Sequence, residues 1–379
     1  MKKCLLIDDL ALKGWKSIIE KSITKTSGNL EVASTFEEAI NKIQDKYDLI
    51  FLDIRLTEKD HNVKVISDYS GYKILKEIKK DFLKVNYSTP VILITASNKI
   101  WNIDEFRNYG VDAYYIKEHP DYVFSKENSL NNLSNLQNNF LNLIKVGCKR
   151  NEIWELCSGI IELINKHSYF KDLDPKYLNI KNRIIDKLKL GYSHLFKNQT
   201  KIEKDLLLSN NESVSFIIFW SILEEISKGF TDINKTWDNV FNRYSSWKFR
   251  NKEYFIEEID STKIKLNFSR NKQNQFRKTF IEYSVGSSEY KRYTSKIINL
   301  SDQIYSLLSA YSENPEIYRA LILNFQKINN YRNDVDFIHP SVNSILTKSI
   351  ITKESINDAY DMNVEMLKLI NKILNINTK

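Results

Sequence analysis

The segment Leu49–Asp53, with the sequence LIFLD, is a short apolar run that ends in a carboxylate. Three similar runs occur in the first 120 residues, at 4–7, at 91–94 and, more weakly, at Ala113–Ile116. Strands that are apolar along their whole length are typical of a parallel sheet that is covered on both faces. In such sheets, ligands bind at the carboxyl ends of the strands. The pattern therefore predicts a functional site at the residues that close these runs.

Amphipathic segments at 35–46 and 71–82 lie between the apolar runs and predict helices. This alternation predicts an α/β domain with a doubly wound parallel sheet. After about residue 125 helical periodicity takes over, so the rest of the chain is predicted to be predominantly α-helical. Helices are expected at 128–145, 151–166, 179–196, 214–229, 297–338 and 353–375, with a strand signal only near 263–268.

The bulk composition indicates a globular protein of about two domains, with 379 residues of which 42% are hydrophobic and 27% charged. Its three cysteines lack the paired spacings of a metal site and, being odd in number, do not suggest a disulfide framework. No apolar run approaches the roughly 20 residues that cross a bilayer. The first run is followed at once by two acids, which makes it too short for a signal peptide. We therefore expect a cytoplasmic protein that does not enter a membrane.

The net charge of +8 lies mainly in the second half of the chain, where residues 262–296 carry nine Lys or Arg and only two Glu. Such a stretch can attract a polyanion. Upstream, the run 241–255 interleaves aromatic and basic residues, which can stack single-stranded bases beside phosphates. The same run also fits a half-buried helix, the commoner structure for this composition, and the charge also fits a solvated surface. The candidate nucleic-acid contacts are Arg243, Lys248, Arg250, Arg270 and Arg277.

Side chains suited to phosphoryl transfer close all four apolar runs. Asp8 and Asp9 follow the first run, Asp53 closes the second, and Thr95 and Lys117 follow the last two. Clustered carboxylates bind a hard divalent ion such as Mg²⁺, and one carboxylate can act as a nucleophile. A hydroxyl and an ammonium group can then satisfy the oxygens of a phosphoryl group.

This arrangement resembles the response-regulator receiver family over residues 1–125. The resemblance implies a flavodoxin-like fold, a Mg²⁺ cofactor and a histidine kinase as partner. It also implies that phosphorylation pulls the switch hydroxyl inward and biases a bistable surface. The implied roles are phosphoryl acceptor for Asp53, Mg²⁺ ligands for Asp8, Asp9 and Asp53, switch hydroxyl for Thr95, phosphate contact for Lys117 and rotating aromatic for Tyr114.

Two features depart from the pattern of the receiver family. Proline is usual soon after the acceptor and again after the lysine, where this chain has Thr57 and Glu118. The loop 57–70 is also longer than usual before the helix-opening Gly71. These departures bear on kinetics and kinase choice more than on the chemistry. The alternative is a domain that keeps the receiver fold and is never phosphorylated.

The segment 331–340, YRNDVDFIHP, is the candidate site of the second half. In a helix Arg332 and His339 lie on one face, together with Asp336. Pro340 disfavours helix at the residue before it, which places His339 near a helix end. The Arg–His spacing is a weak pattern by itself. Its context strengthens the interpretation as a site, because the spacing lies at the end of a predicted helix in a helical region that follows a long apolar helix.

This combination resembles the HEPN superfamily of helical domains over about 200–375, most closely at 331–340. Many members are metal-independent ribonucleases, so the resemblance implies RNA as substrate, no cofactor for this domain, and a homodimer that pairs two motifs. His339 would act as general acid or base, Arg332 would stabilise charge in the transition state, and Asn333 would orient the pair. A role in stress or phage defence follows only by analogy.

These observations predict a receiver domain at 1–125, a helical connector at 126–200 and a HEPN-like output domain at 201–379. The predicted function is a two-component response regulator whose phosphorylation controls a ribonuclease. The alternative is a non-enzymatic adaptor that binds protein or nucleic acid through its helical half. In that case Arg332 and Asp336 form a helix ion pair and His339 caps a helix. A DNA-binding transcription factor ranks third, because no helix-turn-helix signature is present.

Overall fold

A computed structural model describes residues 2–23, 29–95, 106, 108–117, 126–166, 175–196, 211–230, 232–233, 243–249, 252–260, 263–266, 281–284, 300–309, 315–334 and 353–376. The chain divides into two compact units, Met1–Ser158 and Gly159–Lys379. The first unit therefore continues past residue 125 into the region predicted as a connector. None of the described helices is long and apolar enough to cross a membrane.

The first unit is built on a sheet of five parallel strands. Its strands are β1 Lys3–Ile7, β2 Asn29–Ala33, β3 Leu49–Asp53, β4 Val91–Thr95 and β5 Ala113–Ile116. They lie in the order β2-β1-β3-β4-β5, and every neighbouring pair is parallel. The described helices of this unit are α1 Trp15–Ile23, α2 Phe36–Lys42, α3 Ser70–Lys79 and the first part of α4 Lys126–Lys166. The predicted doubly wound α/β fold is thus confirmed.

The three central strands are buried on both faces, which explains their continuously apolar sequences. Along β1, Leu5 and Ile7 belong to one hydrophobic cluster, whereas Cys4 and Leu6 belong to another. The alternation follows from the two-residue repeat of a strand, which sends successive side chains to opposite faces. Strand β2 was not predicted, because it is only partly buried and carries polar residues at an edge of the sheet.

Helix α4 is a single helix of 41 residues, not the two helices predicted at 128–145 and 151–166. Its first part packs on the sheet, where Phe140 stacks against Phe51 with ring centroids 6.4 Å apart. A Cβ atom at Gly147 would come within 2.9 Å of Pro90. The polar residues between the two predicted helices therefore lie on one continuous helix. The absence of a side chain at Gly147 permits its close contact with Pro90.

The second unit is mainly helical, as predicted. Buried apolar residues of its helices form its core, including Phe216, Phe219 and Phe325, which are fully buried. Besides the end of α4, its described helices are α5 Pro175–Leu195, α6 Asn211–Phe230, α7 Leu300–Ser309, α8 Pro315–Asp334 and α9 Lys353–Ile376.

A five-stranded antiparallel sheet lies between α6 and α7 in the sequence and was largely missed. The run 241–255 forms two strands of it, so its interpretation as a half-buried helix was wrong. Its dense Trp, Tyr and Phe content favours strands, and the register sets Glu257 opposite both Arg243 and Lys265. Opposite charges at facing positions favour this pairing. The strands are β6 Asp232–Ile233, β7 Arg243–Phe249, β8 Lys252–Asp260, β9 Lys263–Leu266 and β10 Ile281–Ser284.

Candidate functional site

The sheet of the first unit brings the predicted site residues to one edge. Asp8 follows β1 directly, Asp53 ends β3, Thr95 ends β4 and Lys117 follows β5. The strands are parallel and in register, with Asp53 paired to Ile94 on the neighbouring strand. The carboxyl ends of the strands therefore meet at the same edge, which is where ligands bind in sheets of this kind.

A buried ammonium group joins two carboxylates at this edge. The Nζ atom of Lys117 lies 2.9 Å from Oδ2 of Asp8 and forms a second ion pair with Oδ2 of Asp53. All three side chains are buried. The other oxygens are held by the main chain: Leu10 N–H donates to Asp8 Oδ1 at 2.9 Å, and Arg55 N–H donates to Asp53 Oδ1 at 3.3 Å. Both oxygens of the Asp53 carboxylate thus have a partner, Lys117 on Oδ2 and the Arg55 N–H on Oδ1.

The same edge has the donor set for a divalent cation. Carboxylate oxygens of Asp8, Asp9 and Asp53 lie within 4.8 Å of one another. Three carboxylates face one ammonium group, so the cluster carries an excess of negative charge. The buried Oδ2 of Asp8 faces the ammonium group of Lys117 at 2.9 Å. Oxygen ligands of this kind suit Mg²⁺, Mn²⁺ or Ca²⁺. These residues therefore fit a divalent-metal site.

The pKa values of the residues in this cluster reflect both their burial and the excess of negative charge. Burial raises the pKa of Asp53 to about 6, helped by Asp8 and opposed by Lys117. Burial and the adjacent Asp8 also raise the pKa of Asp9. Burial alone would lower the pKa of Lys117, but the two carboxylates outweigh it and raise that pKa. A bound cation would favour the charged carboxylates that a metal site and a nucleophile both require.

Thr95 and Tyr114, the predicted switch residues, lie on the neighbouring strands β4 and β5. Thr95 is buried at the end of β4, and its carbonyl accepts a hydrogen bond from Lys117 N–H at 2.7 Å. Tyr114 lies in β5 with 39% of its surface exposed. A hydroxyl at the site and an exposed aromatic on the next strand are therefore linked through one short piece of main chain.

Trp15 is a residue of this site that the sequence analysis missed. It begins α1, and the Nζ atom of Lys117 lies 5.3 Å from the centroid of its ring. Tyr115 meets the same ring edge-on at 6.1 Å. An aromatic face attracts an ammonium group, so Trp15 helps to hold Lys117 over the acidic pair. A tryptophan six residues after Asp9 carries no sequence signal of this contact.

The long loop after Asp53 is folded around a buried carboxylate. Asp60 is 3% exposed and accepts hydrogen bonds from the main-chain N–H groups of Leu56, Thr57 and Ser70, and from the Ser70 hydroxyl. Next to it, Gly71 donates to the Ile54 carbonyl at 3.0 Å. A Cβ atom at Gly71 would overlap the carbonyl oxygen of Asp53. The end of the loop therefore lies directly against the main chain of Asp53 and Ile54.

In the second unit, Arg332 lies near the end of α8 and its guanidinium sits over the ring of Trp220. The carbon Cζ of Arg332 is 4.7 Å from the ring centroid. Its buried Nε atom has no hydrogen-bond partner. Asn333 lies in the same helix, whereas Asp336, His339 and Pro340 lie outside the described residues. The pairing of Arg332 with His339 therefore stays a prediction.

The predicted nucleic-acid contacts lie in or near the second sheet. Arg243 and Lys248 belong to strand β7, where the register sets each opposite a glutamate of β8. Arg250, Arg270 and Arg277 lie outside the described residues. Nucleic-acid binding by this region stays a prediction.

The first unit has a doubly wound α/β fold with acidic residues, a threonine and a lysine at the carboxyl edge of its sheet. Three solved structures of response regulators or receiver domains are similar to it. A two-component response regulator from Clostridium difficile is 27% identical, over 36% of this chain and 95% of its own, with a TM-score of 0.26. A receiver domain protein from Methanospirillum hungatei is 22% identical, over 36% and 94% of the two chains, with a TM-score of 0.26.

The third similar structure is a response regulator from Burkholderia pseudomallei with a phosphorylated aspartic acid, a calcium ion and citrate. It is 18% identical, over 36% of this chain and 71% of its own, with a TM-score of 0.25. No family model matches the chain, and no curated protein is similar to it.

Proposed function

We propose that the first unit accepts a phosphoryl group on Asp53 and thereby controls the helical unit, as in a two-component response regulator. One observation carries this proposal: a buried lysine joins two buried carboxylates at the carboxyl edge of a parallel sheet, with a third carboxylate within reach. A structural ion pair needs one carboxylate for one ammonium. The surplus of acidic ligands is what phosphoryl transfer with a divalent cation requires.

The residues divide the chemistry between them. A carboxylate oxygen of Asp53 attacks the phosphorus of a phosphohistidine on a histidine kinase. The P–O bond forms as the P–N bond breaks, and the histidine nitrogen leaves with the electron pair and takes up a proton. Lys117 binds an oxygen of the transferred group. Asp8, Asp9 and Asp53 would hold Mg²⁺, which neutralises phosphate charge when it is bound.

The switch then acts through the neighbouring strands. The Thr95 hydroxyl moves toward the phosphoryl group on Asp53 and donates a hydrogen bond to it. The Thr95 carbonyl accepts a hydrogen bond from Lys117 N–H, directly after strand β5. Movement of Thr95 therefore shifts this strand and changes the position of Tyr114 on it. Phosphorylation thereby favours one of two arrangements of the β4 and β5 surface.

For the helical unit we propose metal-independent cleavage of RNA by a homodimer. His339 removes a proton from the 2′-hydroxyl or gives one to the leaving oxygen. Arg332 stabilises the charge on the pentavalent phosphorus in the transition state, and Asn333 orients the pair. Support comes from Arg332 itself, which makes no ion pair within the described part of the chain and so retains its charge for a ligand.

The test measures both halves in one preparation. Labelled single-stranded RNA is incubated with the protein, with and without a small phosphodonor and Mg²⁺, beside Asp53→Ala and His339→Ala variants. Intact mass spectrometry follows phosphorylation. We expect the protein to be phosphorylated and Asp53→Ala to abolish this phosphorylation. We also expect RNA cleavage whose rate changes on phosphorylation and which His339→Ala abolishes. Phosphorylation without any cleavage would favour the second candidate, an adaptor whose helical unit binds a partner without cutting it.

A further inference from the structure

The environment of Arg332 differs from that of Arg183 and Lys187, two other cations described in the second unit. Arg183 and Lys187 both pair with the buried carboxylate of Glu225, at 2.9 and 2.8 Å. Among the residues that the structure describes, no carboxylate pairs with Arg332, which lies over the ring of Trp220 instead. A partly buried arginine is normally paired with an acid. Here an aromatic ring takes the place of the acid.

The ring of Trp220 is itself held rigidly. Trp220 is 3% exposed in α6, and it stacks on Phe325 with ring centroids 5.9 Å apart and planes 19° from parallel. Phe325 lies seven residues before Arg332 in α8, which places both on the same side of that helix. Tyr305 also contacts Phe325, with ring centroids 5.0 Å apart and planes nearly perpendicular. The buried tryptophan ring therefore contacts two residues of α8, Phe325 and Arg332.

A ring and a carboxylate affect an arginine differently. A carboxylate consumes two guanidinium N–H donors and cancels the charge. An aromatic face attracts the cation but uses no hydrogen bond. Within the described residues Arg332 therefore makes no ion pair that would cancel its charge, and its guanidinium lies over the ring of Trp220. This arrangement suits an arginine that must meet a phosphate in a defined orientation.

We propose that Trp220 is the positioning residue that orients Arg332 toward a phosphate of single-stranded RNA. The proposal rests on the ribonuclease function proposed for this unit and extends it to a residue outside the 331–340 segment. Trp220 acts through Arg332 and does not itself contact the reacting atoms. Its substitution should therefore reduce turnover in the way that loss of Arg332 does, but less severely.

The experiment measures kcat and KM for cleavage of labelled single-stranded RNA by the full chain. Trp220→Phe keeps an aromatic face, and Trp220→Leu removes it. Trp220→Met serves if the leucine variant does not fold, because methionine fills irregular space. The matched control is Phe216→Leu, which removes an equally buried ring of the same helix that faces Tyr331 rather than Arg332. Each change is also made in the Arg332→Ala background.

We expect Trp220→Leu to lower kcat about tenfold, with KM little changed, and Trp220→Phe to stay within about threefold of the wild type. Phe216→Leu should lower the melting temperature but not kcat. In the Arg332→Ala background, Trp220→Leu should have no further effect on residual cleavage.

The failures of the two proposals are distinguishable. If the wild-type protein cleaves RNA and the folded Trp220→Leu and Trp220→Met variants have the same kcat as the wild type, the role of Trp220 is overturned. The proposed ribonuclease function is then unaffected. An equal loss of activity in Phe216→Leu would also overturn it, because the effect would then be general to the core. Wild-type protein that cleaves no RNA in either phosphorylation state would overturn the ribonuclease and this inference together.

Discussion

Asp60 accepts hydrogen bonds from both the main-chain N–H and the hydroxyl of Ser70, across the ten residues by which they are separated in sequence. These bonds close the long loop after Asp53 into a compact structure that ends at Gly71. The loop is therefore an ordered support of the acceptor strand. It contains a buried carboxylate, Asp60, that does not belong to the cluster of Asp8, Asp9 and Asp53.

Substitution of Asp60 should destabilise the first unit in a pH-dependent way. Burial alone would raise its pKa, but the hydrogen bonds from Ser70, Leu56 and Thr57 outweigh it and lower the pKa of Asp60. The unfolded state then binds the proton more tightly, so the stabilisation is complete above the unfolded pKa of about 3.9 and is lost as pH falls through the folded pKa. Thermal unfolding should show the largest difference between wild type and Asp60→Asn near neutral pH.

The control for this prediction is Asp68→Asn, an exposed acid of the same loop. It should leave the melting temperature unchanged at every pH. A difference between wild type and Asp60→Asn that does not diminish as pH falls below the unfolded pKa of about 3.9 would contradict the assignment of the effect to the Asp60 charge.

Gly71→Ala should impair both stability and phosphorylation. The new methyl group would overlap the carbonyl oxygen of Asp53 and crowd the main chain of Ile54. We expect a loss of about 2–3 kcal/mol in the free energy of unfolding and slower phosphorylation of Asp53 by a small phosphodonor. Gly159→Ala is the matched control, because a Cβ atom there meets nothing within 4 Å. In the middle of helix α4 it should stabilise by up to about 1 kcal/mol.

Addition of Mg²⁺ should raise the melting temperature of the first unit. A cation that binds only the folded cluster stabilises it by mass action, and here it also relieves the repulsion between Asp8, Asp9 and Asp53. Asp8→Asn or Asp9→Asn should reduce the shift strongly. Asp45→Asn, which changes a largely exposed acid away from the strand ends, should retain it. An equal shift in all variants would point to a nonspecific effect of salt.

Trp15 should report on the phosphorylation site by fluorescence. Its ring faces Lys117 at 5.3 Å, so any reagent that draws the ammonium group toward a phosphate changes the field at the indole. We expect emission to change on addition of Mg²⁺ and a small phosphodonor, and Trp15→Phe to remove most of that change. Trp154→Phe is the control, because the Trp154 indole donates to the Phe82 carbonyl instead. A response that survives in Trp15→Phe would place its origin elsewhere.

The strand ends of the first unit could be predicted from the sequence, because the local sequence of each strand reflects whether its two faces are buried. A run such as Leu49–Asp53 is apolar because both faces of the central sheet are covered, and the polar residue that ends it marks the edge. Strand β2 lacks this signature, since an edge strand is partly exposed. The continuity of helix α4 was also not predicted. Its glycine and polar residues resemble the end of one helix and the start of another, whereas in the structure the glycine lies against Pro90.

What the sequence by itself determined is the α/β class of the first unit, the helical character of the second, and the acidic residues, hydroxyl and lysine that meet at the strand ends. These follow from hydrophobic periodicity and from the rule that parallel strands bring their carboxyl ends together. Only the tertiary structure decided the contacts of Trp15 with Lys117, of Asp60 with Ser70 and of Trp220 with Arg332. Each joins residues from separate elements, and such a contact depends on packing that no local pattern records.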